Sequence, residues 1–254
     1  GMLVPGSRPA IKFEVANYLA WLRSEVERAR SEGRLSLELG RAPTALELRD
    51  GRFDAVVTAT GSRQVRPGVP GIDGPRVTSA VDLLRNPDLA GGARRAVVVG
   101  GGTVGCETAL WLARELGLSE VALVEMLPWL MKGVCTANRG WLIHYLEEAG
   151  VRLLNCSRLT EVRDGEVRIA RNVSRSVPDP RVTWEPLLPE NVPNPFARRI
   201  RVEEREESLG ADLVVLAAGA KPDDGLYREC VSACAAPRVR NVGDSHAQIG
   251  RAHV

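Results

Sequence analysis

The chain has 254 residues, 44% of them hydrophobic, enough to bury one large core or two modest ones. A formal net charge of +2 with both signs interspersed excludes the long-range field that gathers nucleic acid or anionic lipid. No apolar run approaches the roughly 20 residues that cross a bilayer, and the start lacks the order of a signal peptide, so a cytoplasmic protein is expected.

In chain order, Ile11, Val15, Tyr18, Leu19, Leu22 and Val26 recur at steps of three and four, which predicts an amphipathic helix over residues 12–30 ending near Gly33. The alternating "LSLEL", 35–39, reads as a short strand, and "FDAVVTATG", 53–61, as a strand buried on both faces and stopped by Gly61. Proline and glycine are so dense in "RPGVPGIDGP", 66–75, that neither helix nor central strand can persist, so it reads as an interdomain linker. From Arg95 the order is strand ("RAVVVG"), glycine turn, helix (103–116) and strand ("EVALVE"), a βαβ unit that a helix over 137–148 and the strand "VRLLNC" extend. Between Glu161 and Arg205, short alternating pieces broken by Pro178, Pro180, Pro186, Pro189, Pro193 and Pro195 predict a hairpin with a long irregular insertion. "ADLVVLAAG" then repeats the pattern of "FDAVVTATG", with Gly61 and Gly219 in equivalent places, which points to two related nucleotide-binding domains.

Gly100, Gly102 and Gly105 satisfy G-x-G-x-x-G between a strand and a helix, and Glu125 ends the next strand, the context a dinucleotide-binding turn requires. Gly100 permits the tight turn, Gly102 lets backbone approach a pyrophosphate, and Gly105 lets helix and strand pack closely. Gly101, Thr103 and Val104 complete the turn, whose free N–H groups and helix dipole suit phosphate. Glu125 is placed to accept from adenosine ribose hydroxyls and to repel a 2′-phosphate, so NADH is expected over NADPH. Glu107 is a candidate on the nicotinamide side, although a carboxylate near a helix N-terminus is stabilised there without any function. Gly243 and Asp244 follow the strand-like "PRVRNV", where aspartate can receive a ribose or ribityl hydroxyl and glycine lets the ligand come close.

No catalytic residue and no metal ligand is assigned. His144, mid-helix beside Tyr145, reads as a satisfied surface or core histidine, and Trp111, Trp129 and Trp141 as packing residues. The five cysteines are scattered and never spaced C-x-x-C, so reduced, mostly buried thiols are expected. Cys230 and Cys234, four apart, fit one helical face, though two unrelated thiols is the stronger reading.

Together "FDAVVTATGS", "VPGIDG", "VVVGGGTVGCETALWLA", "VALVEM", "GADLVVLAAGAKPDD" and "VRNVGDS" resemble the C-terminal pyridine-nucleotide half of NADH:flavin oxidoreductases that carry an Old Yellow Enzyme-like barrel, the group of 2,4-dienoyl-CoA reductase and trimethylamine dehydrogenase. "CETALWLA" and "LLPENVPNPFARRI" tie it to that branch. The resemblance implies an α/β, two-dinucleotide-binding-domain, Rossmann-like flavoprotein fold: an NADH domain, 77–216, inserted in an incomplete FAD domain, 1–76 and 217–254. It implies that NADH binds at Gly100, Gly102, Gly105 and Glu125, and that FAD has Thr60 and Gly61 beneath it and Asp244 on its ribityl chain. Electrons would pass from FAD through a 4Fe–4S cluster to FMN, both in a barrel domain, to reduce an activated double bond. The barrel, the cluster cysteines and the first βαβ unit of the FAD domain are expected upstream of Gly1. The ending "IGRAHV", 249–254, can be encoded by the read-through of a sequencing adapter, so the natural sequence is expected to stop near Gln248. A homo-oligomer is a further possible partner state, and the excess of arginine over lysine fits a GC-rich bacterial genome. Two other readings stay open: a ferredoxin-reductase-like enzyme, and a non-catalytic NAD-binding module or subunit.

Overall fold

The computed structural model describes residues 1–183, 192 and 199–246. "LLPENVPNPFARRI", apart from Val192, Arg199 and Ile200, lies outside the described residues, as does "IGRAHV". The chain forms two compact units, one of Gly1–Gln64 with the return segment from Ala220, the other of Val65–Gly219.

The first unit opens with α1 (Leu3–Gly6), α2 (Phe13–Ser31) and α3 (Ala45–Asp50), then β1 (Val56–Thr58) and β2 (Ser62–Gln64). Helix α2 forms where the three-and-four spacing predicts it, yet none of its residues is buried, and Tyr18 and Trp21 stack on each other at 5.6 Å while about half exposed. The predicted strand "LSLEL" does not form; alternation alone cannot supply the partner a strand needs, and residues 35–39 have none. Helix α3 was not predicted. It is started by a capping box in which the Glu47 N–H donates to Thr44 Oγ1 at 3.2 Å and the Thr44 N–H to Glu47 Oε2 at 2.7 Å.

The second unit holds β3 (Val77–Ser79), α4 (Ala80–Arg85), β4 (Arg95–Val99), α5 (Thr103–Arg114), β5 (Glu120–Val124), α6 (Thr136–Glu148), β6 (Arg152–Leu154), β7 (Ser157–Arg163), β8 (Glu166–Asn172), β9 (Glu204–Gly210) and β10 (Leu213–Leu216). Five strands make a parallel sheet in the order β3-β10-β4-β5-β6, and β7-β8-β9 a separate antiparallel sheet. Because side chains alternate along a strand, Val97, Val99, Val124, Val214 and Leu216 join Leu159, Val167, Ile169 and Leu209 of the antiparallel sheet in one cluster. The intervening Val98, Leu123 and Val215 are equally buried, and the helices α4 and α5 pack on the parallel sheet. With both faces covered, the strands read as near-continuous apolar runs, which is why they were legible.

The proline–glycine stretch 66–75 forms neither helix nor strand, as expected, but it packs into the second unit rather than bridging loosely. Ile72 is buried in the sheet-on-sheet core, the Val162 N–H donates to Pro70 O at 2.9 Å, and a Cβ at Gly71 would lie 1.9 Å from Val162 O.

The chain returns to the first unit as β11 (Ala220–Pro222), α7 (Gly225–Ser232) and β12 (Val239–Asn241). Strand β12 lies parallel to β1, and β11 antiparallel to β2. "FDAVVTATG" was expected to be covered on both faces. Only Val56–Thr58 is strand, Val56 faces a small core with Ala45, Cys230 and Ala235, and Val57 is 62% exposed, since packed elements cover one face alone. All five cysteines are free, but Cys106 and Cys230 alone are buried, which corrects the expectation for the others. Cys234 lies beyond the end of α7 at φ +48°, so it shares no helical face with Cys230.

Asp212 ties the starts of β4 and β10 together: it accepts from the N–H groups of Arg94 and Arg95 and from the Arg95 guanidinium at 2.7 Å. The Arg95 hydrogen bond, then those backbone donors, hold its carboxyl well below the usual carboxylate range. A folded-state pKa below the unfolded one means that this stabilisation is complete above roughly pH 4 and lost as pH falls through the acid range. The urea midpoint of Asp212→Asn is therefore expected below that of the native chain at neutral pH, with the gap closing as pH is lowered toward about 2.

Candidate functional site

The parallel sheet changes direction at β4: the chain runs outward through β5 and β6 on one side and returns as β10 on the other. A crevice at the carboxyl end of such a strand is where open α/β sheets bind ligands. The residues 100–105 sit there. Gly100 has φ +112°, and a Cβ on it would lie 2.3 Å from Ala217 O, so the turn admits no side chain. A Cβ on Gly105 would lie 1.9 Å from Gly100 O, so α5 approaches the end of β4 as closely as backbone allows. A Cβ on Gly102 would meet nothing within 4 Å. The three glycines thus have three different reasons: backbone angle, open approach and helix–strand contact.

Gly102 is also the N-cap of α5 and no side chain caps that end, so the N–H groups of the first turn, at Thr103, Val104 and Gly105, point outward without a side-chain acceptor. Glu125, 8% exposed, closes the other side. Its Oε2 accepts from the Gly101 N–H at 2.6 Å and its Oε1 from the Leu127 N–H at 2.6 Å. The Met131 N–H donates to Gly101 O at 2.8 Å, and the buried Leu130 stands 2.5 Å from where a Gly101 Cβ would be. Both polar groups of the Gly101 peptide are therefore satisfied within the protein, and the loop after β5 is bound to the glycine turn. Sequence reasoning did not find this loop, because nothing in "MLPWLMKGV" marks a partner 30 residues away. Glu107 lies two residues past Gly105, half-buried on α5.

In the first unit the end of β1 and the turn after β12 come together. The Val242 N–H donates to Thr58 O at 3.0 Å, Gly61 has φ +81° and Gly243 φ +68°, and a Cβ on either would meet nothing within 4 Å. Asp244 is half-buried on the short 3-10 turn Gly243–Ser245. Thr60 donates its hydroxyl to Asp223 O, and the Asp223 N–H donates to Gly61 O at 3.0 Å. Beneath the turn, the buried Thr58 and Ser245 both donate hydroxyls to Asn241 Oδ1, at 2.9 and 2.6 Å, and Asn241 Nδ2 donates to Ser245 O at 2.7 Å. That network was also missed. Its signal was available as polar residues at the ends of two apolar strands.

Gly219, ending the segment after β10, has φ +91° and nothing within 4 Å of where a Cβ would lie, as Gly61 has φ +81° and the same open space in the first unit. His144 is exposed, 3.4 Å from Glu148, and reads as a surface residue. Trp111 is buried as expected, whereas Trp141 is 48% exposed and meets Tyr145 edge-on at 4.6 Å. Among the described residues no group of three His, Cys, Asp or Glu side chains could hold a metal, and no helix is long and apolar enough to cross a membrane.

These features meet in a known family. Residues 21–240 match the model of the pyridine nucleotide-disulphide oxidoreductases, and the chain belongs to that family. It is 31% identical over 223 residues to a bilirubin reductase of Mediterraneibacter gnavus, covering 88% of this chain and 29% of that protein. It is 36% identical over 164 residues to an NADH oxidase of Thermoanaerobacter brockii, covering 64% of this chain and 24% of that one. Among solved structures, a 2-naphthoyl-CoA reductase in complex with 2-naphthoyl-CoA superposes with a TM-score of 0.75 at 21% identity, over 97% of this chain and 31% of that chain. The chain thus spans about a third or less of the length of the relatives it matches, and the α/β dinucleotide-binding fold expected from the motifs is the fold found.

The glycine geometry separates two substitutions. Gly105→Ala is expected to destabilise the chain by about 1–3 kcal/mol, because the methyl overlaps a backbone oxygen, whereas Gly102→Ala leaves stability nearly unchanged. Chemical denaturation of the two variants reads the difference directly.

Proposed function

We propose that the second unit binds NADH and the first contributes to an FAD site, making this chain the electron-entry part of an NADH-dependent flavoprotein oxidoreductase. The observation that carries the reading is the uncapped N-terminus of α5 at the carboxyl end of β4, with open space over Gly102 and the Glu125 carboxylate beside it. The turn fits a dinucleotide on chemistry as well as shape. First-turn N–H groups suit a pyrophosphate, and each Glu125 oxygen that accepts one backbone N–H keeps a lone pair for a ribose hydroxyl. The same negative charge disfavours a 2′-phosphate, which supports NADH over NADPH. In this reading the nicotinamide domain is residues 77–216, with Gly100–Gly105 and Glu125 holding the nucleotide and Glu107 beside it. The FAD domain in this reading is 1–76 with 217–254, where Thr60, Gly61, Gly243 and Asp244 are the candidates for flavin and Gly219, just past the nicotinamide domain, is a further candidate for nucleotide contact.

When bound, the reduced nicotinamide is the hydride donor and the flavin its acceptor. The chain's own part is placement: its glycines let backbone come close, its N–H groups fix the phosphates, and its carboxylates select hydroxyls. No acid or base of the chain is needed for that transfer. The names of the bilirubin reductase and the NADH oxidase support a redox role, as does the family. In this reading FMN and an iron–sulfur cluster belong to a barrel domain of a longer protein; among the described residues no group of three His, Cys, Asp or Glu side chains could hold a metal. A cytoplasmic setting fits free thiols.

Titration of the purified chain with NADH, followed by nicotinamide fluorescence, tests the reading. Gly102→Val is expected to weaken NADH binding at least tenfold with little change in melting temperature; equal affinity would count decisively against the site. Glu125→Arg is expected to weaken NADH and favour NADPH. Because Glu125 also holds the Gly101 and Leu127 N–H groups, that variant should lose melting temperature too.

A further inference from the structure

We propose that Asn241 is a positioning residue that sets the aim of the Asp244 carboxylate toward the hydroxyls of a flavin side chain, an inference that rests on the flavin reading of the Gly243–Asp244 turn. Asn241 is the last residue of β12 and pairs in register with Thr58, the last residue of β1. Its carboxamide reaches two ways from there. Oδ1 accepts the Thr58 hydroxyl at 2.9 Å, fixing it to the neighbouring strand, while Oδ1 and Nδ2 together grip Ser245, accepting its hydroxyl at 2.6 Å and donating to its carbonyl at 2.7 Å. Ser245 also donates to Val242 O at 2.9 Å.

Gly243 and Asp244 lie between the two ends of that grip, so the turn is closed into a ring by a side chain as well as by the His246 N–H to Gly243 O bond of 2.9 Å. Thr58 and Ser245 are almost wholly buried, so these hydrogen bonds are strong and costly to leave unmade. The Asp244 carboxylate, by contrast, has no hydrogen-bond or ion-pair partner among the described residues. Nothing on its own side chain holds it; the backbone of the turn sets its direction, and Asn241 holds the backbone. A glycine at φ +68° in the ring makes the clamp more important, because glycine alone would leave the turn several backbone states.

The test uses the full chain with FAD as the probe, read by quenching of flavin fluorescence, beside amide hydrogen exchange. Asn241→Ala is expected to weaken FAD binding about tenfold, the scale of a lost charged hydrogen bond, and to speed exchange at residues 243–246 while leaving residues 97–99 protected. NADH affinity should not move. In the double variant Asn241→Ala with Asp244→Ala, affinity should be no lower than in Asp244→Ala alone, because both act through one carboxylate. Ser245→Ala removes the hydroxyl that Asn241 Oδ1 accepts and keeps the Nδ2 donation to the carbonyl of residue 245; its FAD affinity should fall between those of the native chain and Asn241→Ala, and it serves if the alanine variant at 241 does not fold. Native affinity in Asn241→Ala, with Asp244→Ala weakened, overturns the proposal, and so do additive losses in the double variant. An Asp244→Ala chain that takes FAD as the native chain does, or a native chain that takes none, overturns the flavin reading instead.

Discussion

The contact on which the candidate nucleotide site depends is the one between α5 and the end of β4, where a methyl group on Gly105 would overlap Gly100 O at 1.9 Å. Closing that gap brings the axis of the helix onto the crevice beside the strand. The first-turn N–H groups then point into open space rather than into another element. It also leaves the Gly101 peptide within reach of Glu125, whose carboxylate binds the turn to the next strand. A larger residue at either glycine would move the helix outward and separate the phosphate-binding and hydroxyl-binding halves of the site. Steric exclusion at two backbone positions therefore organises the electrostatics of the whole turn.

The two units are built to different standards. In the second, a parallel sheet is covered by helices on one face and by the antiparallel sheet β7-β8-β9 on the other, and large residues such as Leu83, Leu112, Leu123 and Ile169 are fully buried. In the first, the core is Ala45, Val56, Cys230 and Ala235 with a few partly covered neighbours. Phe13, Tyr18, Trp21, Leu39, Phe53 and Val57 all remain more than half exposed. Apolar area removed from water is the main favourable term in folding, so the second unit carries most of the stability. The candidate nicotinamide turn sits on the better-packed unit, and the candidate flavin turn on the smaller one, over the hydrogen bonds of Asn241.

What the sequence made legible follows the same division. Strands buried on both faces announce themselves as unbroken apolar runs; β4, β5 and β6 were each found within a residue or two, and β10 within three. The glycine turn was legible because its constraints are local: angle, approach and contact all act within six residues. The strand predicted at "LSLEL" failed because pairing is non-local, and alternation says nothing about whether a partner exists. Strands β2 and β11 escaped for the converse reason, being short, polar and paired across the whole second unit. Helix α3 is different, since its Thr44-x-x-Glu47 capping signature lay in plain sight before a weak apolar pattern. The side-chain network at Asn241 and the hold of Glu125 on Gly101 depend on which atoms face which, and that is fixed only once the strands are in register.

The parallel sheet also dictates an order of events as the chain leaves the ribosome. Strand β4 is central, but one of its two neighbours, β10, is reached only after the helices α5 and α6 and the entire antiparallel sheet have been made. Until then the open edge of β4 carries the unpaired N–H and C=O groups of an apolar strand. The Asp212 carboxylate, waiting at the start of β10, is the latch that ends that exposure by taking the N–H groups of Arg94 and Arg95. A nascent chain stalled anywhere between the two strands would present an adhesive edge to its neighbours, the kind of surface on which partly made chains associate.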